Sequence, residues 1–395
     1  MTMKIKISLI VLFCMSLTAH AQQLNINKAV TSAAQQVSVM LEQIPAAKGT
    51  AANLASPRTV ENGKLKMVVP RDWTSGFFPG ILWYLYELTK DPKWMAEAKI
   101  YTANIENQKF TTTTHDLGFI LYCSFGNGYR LTGDTSYRSV IIQSAKSLSK
   151  RFSPMTGVIR SWDHHADQWK FPVIIDNMMN LELLFEATKL TGDSSYYKIA
   201  ISHANTTLKN HFRKDFSSYH VVNYDPATGA VKAKATAQGY ADESSWARGQ
   251  AWALYGYTMC YRETKDKAYL AQAENIADYI FHHAQNLPAD KVPYWDFNDP
   301  KIPESPRDAS AAAIISSGLF ELSQYSTTHG KEYKKTAEQL LNTLAKKYTS
   351  KPGTNYGFIL EHSTGNKPSN SEIDVPIIYA DYYYLEALLR SKQLR

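Results

Sequence analysis

One phrase recurs along the chain and constrains its fold more than any other feature. It reads Leu88-Thr-Lys-Asp-Pro-Lys-Trp94, then Leu131-Thr-Gly-Asp-Thr-Ser-Tyr137, then Leu190-Thr-Gly-Asp-Ser-Ser-Tyr196. A looser copy runs from Glu263 to Tyr269, and a degenerate one from Tyr325 to Tyr333. The phrase has the chemistry of a helix end, a turn and a new helix start. Gly or Lys occupies the closing residue of one helix, and the Asp after it suits the cap of the next. The aromatic three residues on is placed to pack the second helix back onto the first. Before each copy, apolar residues recur at helical spacing in glycine- and aromatic-rich stretches, as in Met178-Leu181-Leu184-Phe185 and Leu254-Tyr257-Tyr261. After each copy the helix is more charged and amphipathic, as from Tyr269 to His282.

Stretches of the first kind begin near Trp73, Asp116, Asp176, Trp246, Asp308 and Tyr379. Strand signals are sparse. Six tight helices alternating with amphipathic ones predict an all-α fold in two concentric layers, an (α/α)6 barrel. An open solenoid is the alternative; six units and irregular loops favour closure. The Pro-rich loops 287–306 and 351–376 are expected on one rim, with Lys291 to Asp299 as a cleft wall.

The first residues read as a leader. Lys4 and Lys6 precede the apolar run Ile7 to Leu17, and Ala19-His20-Ala21 matches a small-x-small cleavage site. Residues 1–21 are therefore expected to be a signal peptide and 22–395 a single catalytic domain, exported most simply to a periplasm. The run is too short to span a bilayer, which takes about 20 apolar residues, and no second span follows. No membrane association is expected once the leader is cut. Only Cys123 and Cys260 remain after it. Both sit in apolar helical stretches and read as buried free thiols, so stability is expected from the core rather than from disulfides. The formal charge of +7 suits anionic ligands, but the basic residues are scattered and form no nucleic-acid patch. The 25 Tyr, 15 Phe and 8 Trp often neighbour Gly, Asp, Asn or Gln, a mixture suited to sugar rings, although core packing must account for most of them.

Three inner helices begin at a carboxylate: His115-Asp116-Leu117-Gly118-Phe119, Ile175-Asp176-Asn177-Met178-Met179-Asn180 and Arg307-Asp308-Ala309-Ser310. Taken singly, each reads first as a helix cap. In a toroid, however, all inner-helix starts converge on one mouth, and Pro172-Val173-Ile174-Ile175 would give Asp176 a dry setting. Facing carboxylates are the equipment of sugar hydrolysis. Desolvation and a like charge raise a carboxyl pKa, so one member of an Asp116–Asp176 pair can keep its proton near neutral pH. Other dense spots are Ser161-Trp162-Asp163-His164-His165, His220, and Gln238-Gly239-Tyr240-Ala241-Asp242 leading into Trp246-Ala247-Arg248-Gly249-Gln250-Ala251-Trp252. The last offers two rings for stacking and an Arg for a carboxylate, against core packing for the Trp pair and a structural role for His220. The His164-His165 pair lacks metal-ligand spacing, and no zinc motif, nucleophile elbow or phosphate loop appears. No metal or other cofactor is expected.

These segments, together with Asp374-Val375-Pro376 and Tyr379-Ala380-Asp381-Tyr382-Tyr383, make the chain similar to glycoside hydrolase family 88, the unsaturated glucuronyl hydrolases, from about Trp73 to Leu389. The resemblance implies an (α/α)6 barrel without metal. It implies Asp176 as general acid and base with Asp116 assisting, and His220, Gln238, Trp246, Arg248 and Trp252 as contacts of the terminal sugar. It further implies a small acidic oligosaccharide substrate left by polysaccharide lyases, carrying a 4,5-unsaturated glucuronic acid. Rival readings are the related barrel enzymes acting on unsaturated rhamnogalacturonan fragments, and a non-catalytic oligosaccharide-binding protein. The family's serine pair and lysine for sulfated sugars have no clear match in Lys367-Pro368-Ser369-Asn370-Ser371-Glu372, so sulfate preference stays open.

Overall fold

In the computed structural model, which describes residues 24–284 and 287–395, the recurring phrase is one structural device used four times. Lys90, Gly133, Gly192 and Lys265 all take left-handed backbone and close their helices. The next residue, Asp91, Asp134, Asp193 or Asp266, caps the following helix by accepting from the amide two residues on, at 3.0, 2.9, 2.8 and 2.9 Å. The Thr before each turn ties the two ends together. Thr89, Thr132, Thr191 and Thr264 donate back to the carbonyl four residues earlier and accept from the Asp amide. The aromatics pack as their spacing predicts: Tyr137 lies 5.2 Å from Phe125 and Tyr269 5.9 Å from Tyr257. The degenerate fifth copy has no Asp, and His329 before its second helix makes no side-chain cap.

The six inner helices are α2 (Phe77–Thr89), a wide π-helical turn Gly118–Gly126 continuing into α4 (Asn127–Thr132), a 3-10 turn Ile175–Asn180 continuing into α6 (Leu181–Thr191), α8 (Ala247–Thr264), α10 (Ala309–Leu322) and α12 (Ile378–Gln393). The six outer helices are α1 (Ile26–Lys48), α3 (Pro92–Ala103), α5 (Thr135–Ser149), α7 (Ser194–Asn210), α9 (Lys267–Asp278) and α11 (Gly330–Lys347). Each inner helix packs on the next, and α12 packs on both α10 and α2, which closes the ring. The predicted (α/α)6 barrel is therefore the observed one and the open solenoid is not. Composition explains the layering. All fourteen residues of α10 are buried, and its run of Ala, Ser and Gly lets neighbouring backbones approach, whereas α11 buries only one stripe. Cys123 and Cys260 are buried free thiols.

The short strands lie in the connections: β1 (Ser56–Glu61) with β2 (Lys64–Val68), β3 (Phe152–Ser153) with β4 (Val158–Ile159), and an antiparallel sheet of β5 (Pro172–Ile174), β6 (Val221–Tyr224) and β7 (Val231–Ala235). The last sheet leads straight into the mouth of the barrel. The loop 351–376 reaches that mouth too, but Lys291 to Asp299 corrects the expectation of a cleft wall. Trp295 and Asp296 are buried there, and Asp296 accepts from the Tyr240 amide at 2.9 Å and the Ser244 hydroxyl at 2.6 Å. The segment buttresses the 238–246 turn from behind.

Candidate active site

Asp116 and Asp176 arrive from neighbouring inner helices and line one cavity of about 560 Å³ at the mouth of the barrel. Their closeness depends on Gly118. A Cβ there would sit 2.7 Å from the Asn180 Cα, so any larger residue would push the two helix starts apart. The Asn180 side-chain oxygen uses the gap to accept from the Phe119 amide at 3.1 Å. The apolar lead-in foreseen for Asp176 is strand β5, which delivers the carboxyl into a setting where it is only 7 % exposed.

The two carboxyls are driven apart in acidity. Burial raises Asp176 to about 6, against the smaller opposing pulls of His115 and Arg248, and the charge of Asp116 adds the least. Of the two causes expected from the sequence, desolvation and a like charge, the dry setting contributes most. Burial also pushes Asp116 upward, but the His115 imidazole, the Thr114 hydroxyl and Arg151 together outweigh it and leave this carboxyl below its usual value. Thr114 Oγ1 donates to Asp116 Oδ2 at 2.5 Å, and His115 Nε2 lies 3.2 Å from Oδ1. The pair is thus one acid that keeps its proton to about pH 6 and one carboxylate.

His220 stands behind Asp176. Its Nδ1 accepts the amides of Ala237 and Gln238 at 3.0 and 3.2 Å, which assigns the ring proton to Nε2. Nε2 faces Asp176 Oδ2 at 3.6 Å. Burial, then Arg248, lowers the His220 pKa to about 3, so the ring is a neutral donor. It acts through Asp176 and does not itself line the cavity. Trp246 is buried between this ring, at 4.7 Å, and the Arg248 guanidinium, at 4.3 Å. Arg248 and Gln238 do line the cavity. Arg248 is anchored by Asp308 at 2.9 Å and by the carbonyls of Thr364 and Gly365, while Gln238 donates to the Gly365 carbonyl at 3.1 Å. The 364–365 loop is thereby pinned over the site. Asp308 is a helix cap, accepting from Ser310 and Ala311 amides.

Trp252 departs from the expected contact. It is fully buried, packed 5.2 Å from Phe119 and 5.4 Å from Tyr383, and it does not line the cavity. Aromatic faces on the cavity come instead from Trp73, Trp162, Trp169 and Tyr379. Trp73 is the inner platform, tilted on Tyr379 at 5.0 Å. Arg58, held by Glu372 at 2.6 Å and Asp72 at 2.9 Å, closes the far side. Sequence reasoning missed Arg58 because nothing in Ser56–Glu61 marks it: its partner Glu372 is more than 300 residues away. Among the described residues, no group of three His, Cys, Asp or Glu side chains is placed to hold a metal ion.

The model for Glycosyl Hydrolase Family 88 matches residues 52–390. A protein of Formosa agariphila named unsaturated glucuronyl hydrolase is 56% identical over 329 residues, 83% of this chain and 82% of that protein. An unsaturated chondroitin disaccharide hydrolase of Streptococcus agalactiae is 35% identical over 335 residues, 83% of each. Among solved structures, the crystal structure of an unsaturated glucuronyl hydrolase specific for heparin superposes with a TM-score of 0.88 at 49% identity, covering 93% of this chain and 97% of that one.

Proposed function

This chain belongs to Glycosyl Hydrolase Family 88 and is an unsaturated glucuronyl hydrolase, and on that premise we propose that it releases 4,5-unsaturated glucuronic acid from the non-reducing end of lyase-generated glycosaminoglycan oligosaccharides. The observation that carries this reading is the pairing of a buried Asp176, with its pKa raised to about 6, and an ionised Asp116 on one cavity.

The chemistry follows from the substrate. Its C4=C5 bond is joined to the ring oxygen, which makes a vinyl ether, and vinyl ethers protonate on carbon. Asp176 gives its proton to C4, and the positive charge that develops at C5 is shared with the ring oxygen. Water adds at C5 and returns a proton to the Asp176 carboxylate, so the residue ends as it began. The product is a hemiketal. It opens to a ketone and leaves the former ring oxygen as a hydroxyl on C1, beside the leaving sugar. In the breakdown of that hemiacetal the C1 hydroxyl loses its proton, the bridging oxygen gains one and the sugar leaves as an alcohol, with C1 left as an aldehyde. The intact glycosidic bond needs no dedicated enzyme acid, unlike the usual two-carboxylate schemes. Asp116 stabilises the cationic stage, the neutral His220 imidazole packs behind the Asp176 carboxyl, and Arg248 faces the substrate carboxylate. Trp73 supplies the stacking surface.

Following ultraviolet absorbance with unsaturated chondroitin, heparin and rhamnogalacturonan disaccharides tests the reading. Loss of the conjugated bond is expected with the first two. Consumption of the rhamnogalacturonan fragment alone would transfer the chain to the related activity, and an intact chromophore in all three would make it a binder. Turnover should survive exhaustive chelation; loss restored by one divalent ion would overturn the metal-free scheme. We also propose export, with a mature start near Gln22 and a periplasmic location, from the Lys4/Lys6, apolar-run and Ala19-His20-Ala21 pattern, which lies outside the described residues. N-terminal sequencing of the native protein decides this, and a Met1 start in the cytosol would reject it.

A further inference from the structure

One feature singled out in the sequence has no part in the reaction above: the His164-His165 pair. Both imidazoles line the outer end of the cavity, on the loop 161–170 that joins β4 to β5. The His164 ring stacks on Trp162 at 5.1 Å, with the planes 16° apart. His165 meets His164 edge-on at 4.9 Å and Trp169 at 6.1 Å. Trp169 is buried with Ile174 and Val221 and anchors the loop on the three-stranded sheet. The His165 backbone is left-handed, with φ 55°, and its carbonyl accepts the amides of Gln168 and Trp169 at 3.0 and 2.8 Å. The two rings are therefore fixed in place, although both residues are exposed.

Their availability sets them apart from the other cationic groups of the cavity. Arg58 is engaged by Glu372 and Asp72, and Arg248 by Asp308 and two carbonyls. Asp163, the acid beside the pair, is held by Arg151 at 3.0 Å and Arg160 at 3.5 Å. Neither imidazole has a side-chain hydrogen-bond or ion-pair partner among the described residues. Asp176 lies at the buried end, so the leaving sugar of a bound disaccharide extends toward this pair. In a glycosaminoglycan disaccharide that sugar is a hexosamine, and its anionic substituents are sulfate groups.

We propose that His164 and His165 form a subsite for a sulfate group on the leaving hexosamine, so that preference for sulfated over unsulfated substrate grows as the pH falls. The inference rests on the unsaturated uronyl reading above. Burial, and then the neighbouring His165, lower the His164 pKa, while Asp163 and Asp116 pull the other way. The ring is thus mostly neutral at neutral pH and gains charge on acidification, and a bound sulfate draws that proton on. Asp176, Asp116, Arg58, Arg248, Glu372, Arg151 and Arg160 around the cavity, with Asp167 and Lys170 on the loop, also act on the sulfate, and Asp176, raised to about 6, changes charge in the same pH range. All of them remain when the two imidazoles are removed, so the contribution of the pair is the difference between the native slope and that of a variant without it.

The test is the ratio of kcat/KM for a sulfated and an unsulfated unsaturated disaccharide of the same linkage, at pH 5.5 and 7.5. For the native enzyme the ratio should rise about three- to tenfold on acidification, the range for one or two partly exposed charge contacts. In the double variant His164→Gln/His165→Gln it should be lower and rise clearly less on acidification, and in His164→Lys it should exceed the native ratio at pH 7.5. A ratio does not depend on the folded fraction, so a poorly folding variant still reports. A double variant with the native ratio and the native pH slope overturns the inference alone. A native enzyme that consumes neither disaccharide overturns it together with the uronyl reading.

Discussion

The barrel has two ends, and they treat buried carboxylates in opposite ways. At the end away from the active site, a cavity of about 370 Å³ is bordered by Glu182, Glu186, Glu263 and Glu386. Every one of these acids is matched. Arg262 bonds Glu182, Glu263 at 2.9 Å and Glu321 at 3.0 Å, Arg390 bonds Glu321 at 2.9 Å, and Lys189 bonds Glu263 at 2.7 Å and Glu186 at 3.6 Å. Glu386 accepts from Tyr84 at 2.7 Å, Tyr255 at 3.0 Å and Ser317 at 2.5 Å. The network ties α2, α6, α8, α10 and α12 together. At the mouth, Asp176 Oδ2 has no hydrogen bond, and the neutral His220 imidazole faces it at 3.6 Å. A satisfied acid is structure; an acid buried without an ion-pair partner keeps its proton and can give it away. The floor holds the ring shut, so the mouth can afford an unmatched group.

If that contrast is right, the largest effect of any single change is on turnover and comes from the mouth. Asp176→Asn keeps the size of the side chain but has no proton to give. Turnover should fall by about 10²–10⁴-fold while the folded signal is retained. Asp116→Asn should also impair the enzyme, and the two changes should not multiply because they act on one step. A folded Asp176→Asn protein keeping more than about a tenth of native turnover, well above what loss of an acid-base group leaves, would reduce Asp176 to a packing residue.

The floor should show the reverse pattern. Arg262→Ala leaves three acids facing one another without their shared partner, and removing one member of a buried ion pair typically costs about 3–5 kcal/mol. Denaturant unfolding should record that loss, while turnover per folded molecule stays within about twofold, since the ion network does not touch the reacting atoms. Equal damage to turnover per folded molecule would mean that the two ends are coupled through Gly118, Phe119 and Met179, which line the floor cavity one turn below the aspartates.

What the sequence made legible follows the same division. The turns of the barrel are local events: a left-handed closing residue, an Asp cap and a returning aromatic all lie within seven positions, so the phrase could be read directly and the ring predicted from its repetition. Asp116 and Asp176 were legible as helix starts once a ring was assumed. The partnerships that decide roles are long-range and were not legible. Arg248 was legible as a partner for a carboxylate, but the Asp308 and 364–365 carbonyl contacts that orient it on the cavity were not. Trp252 looked like a stacking surface because it shares a motif with Arg248, but on α8 it faces Phe119 and Tyr383 in the core. His220 sits on the strand side of the site, and only the pairing of β5 with β6 brings it behind Asp176.

The smallest expected effect is a slope in stability, and its sign differs between the two ends. Burial raises Asp176 from 3.8 to about 6 in the fold, whereas the unfolded chain ionises at the ordinary value. Between those limits the folded protein binds more protons than the unfolded one, so this group's contribution to stability declines as the pH rises from about 4 to about 6 and stays low above that. Asparagine carries no charge to desolvate. Asp176→Asn should therefore be more stable than the native protein at pH 7.5, by on the order of 1–3 kcal/mol, with the gap closing by pH 4. Glu321 is the opposite case. Burial alone would raise it, but Arg262 and Arg390 outweigh burial and hold it below its usual value. Glu321→Gln should lose stability at pH 7.5, and the loss should shrink as the pH falls through the range where the native carboxylate takes up its proton. Urea unfolding of both variants at pH 4, 5.5 and 7.5 reads the two slopes side by side. Parallel slopes would mean that the mouth carboxyl is solvated like any surface acid, and would remove the physical basis for its proton.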